Sequence, residues 1–513
     1  MYVVTGEEMH RIDRYTMEKI GLSEETLMEN AGQAFCRQLF PTVGLEDRLV
    51  VLIGTGNNGG DGFVIGRILK EAGFLVDVIV IPREEKIRGT ALKHKRIFEN
   101  SGHEWITFRE VQEHFEQLLT KYTIIIDAML GTGMVGTPRW PYSDVIESVN
   151  GATGRVIAVD IPSGVTATEE KHEVGINADQ TYTFQAAKIS NFLYPAAFCF
   201  GEVHILDIGI PRIALENTFE TRKLITDEKV KNSLAVRKQN AHKGVSGKAL
   251  IIGGSIPMTG AIVLTTGACL RTGAGLVTVA VPDKILLGIA QKTTEAMFYP
   301  LPQKNGEIEI IPSHFPQDKT LSAYDGIAVG PGLGRNNKHN LYDTFNDFKG
   351  NLVIDADGLY HLVDELDKWR GGREGGPTII TPHLGEMARL TGKTVEEVEL
   401  QRFRISKQFA MEYKVYLVLK GPFTIITAPD GRQWVNQTGN ESLAKGGTGD
   451  TLTGMILGFL LQHEYITDAI CNAVYIHGKT ADELVKSQDI LSVTASDIIE
   501  VLPKVLHSSR YQT

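Results

Sequence analysis

Cysteine is scarce in this chain: four among 513 residues, Cys36, Cys199, Cys269 and Cys471, far apart and with no C-x-x-C pair. That spacing argues against a disulfide framework and a zinc site, and the compartment expected is a reducing, cytoplasmic one. The stretch MYVVTGEEMHRIDRY lacks an apolar signal core, and no apolar run approaches the roughly 20 residues that span a bilayer. Long basic runs are missing too. The net charge of −10 counts against nucleic acid and an anionic membrane surface as partners. Neither an internal repeat nor a low-complexity tract is present. What abounds is glycine, at 53 residues, much of it directly after apolar runs, the usual place for ligand-binding turns in α/β proteins. Hydrophobic residues make up 42%, ample core for the roughly two to four domains that this length suggests.

Strand-like and helix-like stretches alternate. RLVVLI (48–53), LVDVIVI (75–81), TIIID (123–127), RVIAV (155–159), TYTF (181–184) and VHIL (203–206) read as strands. SEETLMENAGQAFCRQLF (23–40) reads as a helix with Ser23 as N-cap and Leu27, Ala31, Phe35 and Leu39 on one face. Residues 213–240 are polar and charged with scattered apolar positions, so a domain boundary is expected near 212–225, giving domains at 1–212 and 222–513. Alternation resumes in KALIIGG (248–254), LVTVAV (276–281), DGIAVGPG (325–332), NLVIDAD (351–357), PTIITP (377–382), VYLVLKG (415–421) and TIITAP (424–429). Such alternation predicts two α/β domains in series, each a mostly parallel sheet covered on both faces.

IGTGNNGGDGFVIGR (53–67) holds Gly54, Gly56 and Gly59 in G-x-G-x-x-G spacing, a weak signal alone. Asn57, Asn58 and Asp61 crowd it with polar groups, and Asp61 would repel a pyrophosphate. Side-chain oxygens there suit a cation or a ligand's hydroxyl and amide groups. Two further strand ends carry Asp127, followed by a Gly-Thr loop, and Asp160, followed by Pro162 and Ser163. Ligands of open α/β sheets sit at such ends. Each residue alone is more simply a helix or turn cap; three polar strand ends in one domain favour a site.

NNGGDG, DAMLGTG and DIPSG together resemble the NAD(P)H-hydrate epimerase domain over about residues 1–212. The resemblance implies a Rossmann-like three-layer fold and a potassium ion held by Asn58, Asp127 and Ser163. It implies contacts to the hydrated nicotinamide nucleotide from Asn57, Asn58, Gly59, Gly60 and Asp61, from the loop Gly131, Thr132, Gly133, Met134, Val135, Gly136 and Thr137, and from Asp160, the candidate acid/base. Lys188 is a further polar candidate, equally readable as a surface lysine.

AKGGTGDTLTG (444–454) opens a second helix, with Leu452, Met455, Ile456 and Phe459 at helical spacing. A glycine-rich helix start favours phosphate, yet Asp450 sits in it. An aspartate there suits a kinase-like base for an acceptor hydroxyl, with the N–H groups of Gly447, Thr448 and Gly449 as an anion hole. The bland alternative is an acidic first turn.

HKGVSGKALIIGGS (242–255), TGA (259–261), GPGLG (330–334), DADGL (355–359), TPHLGEM (381–387), KGPFT (420–424) and GGTGD (446–450) together resemble the ribokinase-like ADP- or ATP-dependent NAD(P)H-hydrate dehydratases. Where that family commonly has proline after the histidine, this chain has Leu384, which slightly loosens the expected turn. The resemblance implies a nucleotide site at Lys420, Gly421, Pro422, Phe423, Thr424 and Gly449. A hydrate pocket would contain Ala261, Gly334, His383 and Asp450, with Asp450 as base. Glu386 is a candidate to orient a magnesium-bound water, or simply an acidic first-turn residue; Asp355 and Asp357 are candidate helix caps. The implied activity is repair of hydrated NADH and NADPH (NADHX, NADPHX): the first domain epimerises the R and S hydrates, the second dehydrates S with ADP or ATP and magnesium. A homo-oligomer is expected. The rival is a vitamin or sugar kinase fused to a non-catalytic nucleotide-binding module.

Overall fold

A computed structural model describes residues 1–170, 174–217, 222–237, 246–312, 314–315 and 319–511. His242 to Val245 of the segment 242–255 lie outside the described residues. The chain divides into two compact units, Met1–Thr221 and Arg222–Thr513. Every apolar run read above as a strand is one.

The first unit contains β1 (Arg48–Ile53), β2 (Leu75–Val80), β3 (Ile106–Thr107), β4 (Ile124–Ala128), β5 (Arg155–Val159), β6 (Gln180–Phe184) and β7 (Glu202–Leu206). Their order is β3-β2-β1-β4-β5-β6-β7, and every neighbouring pair is parallel. Parallel strands must bury both faces, which explains the unbroken apolar runs. Along β1, Leu49, Val51 and Ile53 join one core and Val50 and Leu52 the other, so the unit is three-layered. The order reverses between β1 and β4, the switch point at which Rossmann-like sheets open a crevice. Gly54 follows β1 there because a Cβ would strike the Met129 carbonyl after β4. The helix Arg212–Asn217 belongs to this unit, with Ala214 and Leu215 in its core.

The second unit contains β8 (Arg222–Leu224), β9 (Lys248–Ile252), β10 (Leu276–Pro282), β11 (Met297–Leu301), β12 (Gly326–Val329), β13 (Asn351–Ile354), β14 (Thr378–Ile380), β15 (Tyr416–Leu419), β16 (Ile425–Thr427) and β17 (Gln433–Val435). The order is β8-β17-β16-β15-β14-β13-β12-β9-β10-β11. From β15 to β17 the strands run antiparallel, and KGPFT forms the β15–β16 turn. Among the described residues, no helix is long and apolar enough to cross a membrane.

The helix Thr448–Leu460, which GGTGD opens, is buried almost all round, as suits a helix inside a core. It lies directly on the helix Thr259–Arg271. A Cβ at Gly454 would meet the Thr265 carbonyl, and one at Gly458 the Thr272 side chain. Two glycines one turn apart thus let the backbones approach and fix the depth of the helix start. Gly454→Ala should destabilise the second unit by about 1–3 kcal/mol through overpacking, read as a lower urea midpoint; an unchanged midpoint would show that the contact is not tight.

Candidate active sites

At the switch point of the first unit lies a cavity of about 550 Å³. Asn57, Asn58, Asp61, Gly131 to Met134 and Asp160 line it, as expected. Other expected residues do not. Gly59 and Gly60 lie behind the wall, packed on Gly54 and Met28. Val135, Gly136 and Thr137 are exposed and outside the lining. NNGGDG is not a loop either: Gly56 is the N-cap and Asn57 the first residue of the helix Asn57–Glu71. That places Asp61 beyond the first turn, buried, where it cannot meet the free N–H groups of the helix start.

Asn58, Asp127 and Ser163 do converge, around Leu130. Asn58 Nδ2 donates to the Leu130 carbonyl (3.0 Å), and Leu130 N donates to Ser163 Oγ (2.8 Å). Ser163 donates to Asp127 through its hydroxyl (2.6 Å) and its N–H (2.7 Å). Asp127 is fully buried, and burial pushes its carboxyl up to about 6 against these hydrogen bonds. Asn58 Oδ1 is buried and meets no donor among the described residues. An orphaned amide oxygen beside a buried carboxylate is a donor set that suits a hard monovalent cation.

Asp160 ends β5 with φ at +63°, a left-handed backbone that aspartate tolerates at some strain. Its Oδ1 accepts from Lys188 Nζ (2.6 Å), Phe184 N (2.9 Å) and Thr183 Oγ1 (3.2 Å). The surface reading of Lys188 is wrong: its side chain is fully buried, because the short parallel pair Val3–Val4 with Ala187–Lys188 folds it inward. Asp13, which the sequence reading missed, also lines the cavity. Burial and the charges of Asp160 and Glu24, against Lys188, raise it to about 7; Asp61 is raised well above the usual range by burial and then by Asp160, Asp13 and Glu24. The only sequence signal for Asp13 was its place as an acidic residue within the amphipathic helix Gly6–Tyr15.

In the second unit, Asp450 is the third residue of the helix Thr448–Leu460, whose N-cap Gly447 has φ +92°. Thr448 N turns back to the Lys445 carbonyl (3.4 Å), so the expected anion hole changes membership. Among the described residues, the N–H groups of Gly447, Gly449 and Asp450 meet no acceptor. Burial and the charge of Asp355, partly offset by Lys420, push the Asp450 carboxyl up to about 7.

Neither neighbouring aspartate is a cap. Asp355 accepts from Lys420 Nζ (2.8 Å) and Thr453 Oγ1 (2.5 Å). Asp357 accepts from Gly334 N (3.0 Å) and Arg335 Nε (2.6 Å), holding the GPGLG loop; Ala261 borders the same loop at Gly332. Lys420 thus belongs to an ion pair as well as to the expected nucleotide segment. Gly421 and Pro422 are exposed, Phe423 is half-buried and Thr424 buried. Gly449 abuts Lys420 Nζ.

His383 caps the helix Leu384–Thr391. Its Nδ1 accepts from Gly385 N (3.0 Å) and Glu386 N (3.3 Å), and its own N–H donates to Glu386 Oε2 (2.8 Å). Glu386 therefore closes a capping box, the structural alternative weighed for it. Burial, then the Lys420 charge, lowers the His383 pKa. Because Nδ1 accepts both bonds, the proton of the neutral ring is on Nε2.

The model of the family described as YjeF-related protein N-terminus matches residues 24–190, and that of the NAD(P)H-hydrate dehydratase matches 249–504. The bifunctional NAD(P)H-hydrate repair enzyme Nnr of Moorella thermoacetica is 34% identical, over 99% of this chain and 97% of that protein. Its namesake in Thermofilum pendens is 33% identical, over the same shares. Among solved structures, the ADP/ATP-dependent NAD(P)H-hydrate dehydratase of Bacillus subtilis, crystallised with ATP and Mg²⁺, is 33% identical with a TM-score of 0.50, covering 56% of this chain and 99% of that one. Full-length relatives with a bifunctional name do not favour a small-molecule kinase fused to a silent module. With the Rossmann-like and ribokinase-like folds in this order, the chain belongs to the family of bifunctional NAD(P)H-hydrate repair enzymes.

Proposed function

We propose that the protein repairs NADH and NADPH whose nicotinamide ring has taken up water, acting in the cytoplasm as a homo-oligomer. The first unit interconverts the R and S hydrates; the second dehydrates the S hydrate with ADP or ATP. The observation that carries the reading is Asp450: a carboxyl raised to about 7, beside the free N–H groups of a helix start and across from the Asp355–Lys420 pair.

Asp450 takes the proton of the ring hydroxyl, and the oxygen attacks the terminal phosphorus of the nucleotide, which leaves one phosphate shorter. The N–H groups of Gly447, Gly449 and Asp450 offset the charge gathering on the phosphoryl oxygens. Phosphate is a far better leaving group than hydroxide. It departs from the ring carbon while the adjacent carbon loses a proton, restoring the dihydropyridine. Magnesium would come with the nucleotide's phosphates and supply charge neutralisation. Among the described residues, no cluster of three or more His, Cys, Asp or Glu would hold a metal on its own.

In the first unit, Asp160 is the acid/base. Lys188 keeps its Oδ1 occupied and leaves Oδ2 for the hydrate. Asp13, raised to about 7, is a proton donor on the same wall, where Asp61 is raised by burial and the neighbouring carboxylates. Potassium would be held by Asn58, Asp127 and Ser163, where it supplies fixed positive charge in an acidic cavity.

Asp450→Asn should lower nucleotide-dependent dehydration by about a hundredfold or more with folding and nucleotide binding retained; near wild-type turnover removes Asp450 from the mechanism. Because the base must be ionised, wild-type turnover should rise with pH on a limb centred near 7. A flat profile between pH 6 and 8 contradicts that role.

Asp127→Ala should reduce epimerisation by about tenfold or more and abolish its dependence on potassium over choline, with dehydration of pure S hydrate untouched. Equal loss of both activities makes Asp127 merely structural.

The units should also separate. Each has its own core, and a cut after Thr221 spares Ala214 and Leu215. Residues 1–221 should epimerise without nucleotide. Residues 222–513 should consume S hydrate and stall on R, apart from slow spontaneous epimerisation, until the first fragment is added. If 222–513 alone consumes purified R as fast as S, the division of labour is wrong.

A further inference from the structure

A second cavity, of about 270 Å³, opens in the second unit beside His383 and Glu386. Two arginines stand on its wall. Arg335 directly follows the GPGLG loop, and Arg389 lies on the helix Leu384–Thr391. One ring holds both: Tyr360, on the helix Asp357–Val363, has its centroid 5.2 Å from Arg335 Cζ and 5.0 Å from Arg389 Cζ. Attraction between guanidinium and ring sets both cations at one place. Arg335 commits only its Nε, to Asp357 Oδ1. Among the described residues, the two Nη atoms of Arg335 and the whole guanidinium of Arg389 meet no acceptor. Asp357 takes only the Nε of Arg335, and Glu386 on the same wall bonds neither arginine, so two like charges on one ring keep their forks unfilled. Planar forks of this kind match phosphate oxygens in pairs.

We propose that Arg335 and Arg389, set by Tyr360, clamp a phosphate group of the dinucleotide hydrate during dehydration. The inference rests on the repair reading above, which puts His383 at the hydrate. The cavity shares His383 with that pocket, and its Arg335 adjoins Gly334. None of Lys420 to Thr424, and not Gly449, lines it, so it belongs to the hydrate and not to ADP or ATP. Its volume falls short of the roughly 300 Å³ at which whole-ligand pockets begin, which suits one part of a dinucleotide. The group is either the pyrophosphate that both hydrates carry or the 2′-phosphate of the NADPH form.

The test is steady-state dehydration of purified S hydrates of NADH and NADPH by the full chain, with ADP varied separately. Arg389→Ala should raise the KM for hydrate about tenfold or more, with kcat and the KM for ADP little changed. Arg335→Lys keeps the charge but loses the fork and should act in the same direction. Lys393→Ala, an exposed cation just after the same helix, should change nothing. A rise confined to the NADPH hydrate assigns the 2′-phosphate, and an equal rise for both assigns the pyrophosphate; either upholds the clamp. A rise in the KM for ADP alone, or no change in any constant, overturns it. Titration with intact NADPH, followed by fluorescence, gives a readout without turnover, and melting curves exclude misfolding. A wild-type chain that consumes neither S hydrate overturns the repair reading, while weaker NADPH binding by Arg389→Ala still upholds the clamp.

Discussion

A lysine ammonium meets an aspartate carboxylate where little water reaches, once in each unit. Lys188 and Asp160 stand 2.6 Å apart, Lys420 and Asp355 2.8 Å. Withdrawing such charges from water is costly, and removing one partner of a buried pair typically destabilises by about 3–5 kcal/mol. The geometry around each pair follows from that constraint. Asp355 draws together three elements: the end of β13, the β15–β16 turn through Lys420, and the helix Thr448–Leu460 through Thr453. Burial alone would raise the Asp355 carboxyl, but the Lys420 charge and these hydrogen bonds hold it below its usual value. It therefore stays ionised, and its charge is what helps lift Asp450, three residues ahead of Thr453.

The same logic sorts the carboxylates of the first unit. Asp160 has a cation; Asp13 and Asp61 face it without one of their own and are raised. Groups whose environments push their protons apart in this way are what acid/base chemistry near neutral pH requires. The left-handed backbone at Asp160 is part of the arrangement, because it turns the carboxylate toward Lys188 instead of continuing along β5.

Much of this was legible in the sequence. Runs such as RLVVLI are strands because a parallel sheet buries both faces, and the glycine strings mark where the loops after them crowd together. Short strands escaped: Ile106–Thr107 and Arg222–Leu224 have too few residues to show a pattern, and Met297–Leu301 lies within a mixed stretch. The burial of Lys188 was invisible because it depends on a strand pair nearly two hundred positions apart. Asp13 escaped because helical spacing says which face is apolar, not what the face meets. Thr448 N was misassigned because only three-dimensional structure shows the turn back to Lys445. Arg335, Tyr360 and Arg389 lie in three separate segments and share no motif.

One departure from the family pattern shows how local bonding replaces a missing residue. Proline at the first position of a helix fixes φ and omits an N–H that would otherwise need a partner. Leu384 occupies that position here and brings neither advantage. Rigidity comes instead from its neighbours. His383 Nδ1 takes the N–H groups of Gly385 and Glu386, and Glu386 returns a bond to His383 N, so the turn is closed from both sides. The loosening that the sequence suggested is thereby offset. The ring of His383 is also locked in the tautomer that carries its proton on Nε2. The same capping leaves Nε2 of the neutral His383 ring as a hydrogen-bond donor, 3.4 Å from Glu386 Oε1, on the wall of a cavity whose cations are Arg335 and Arg389.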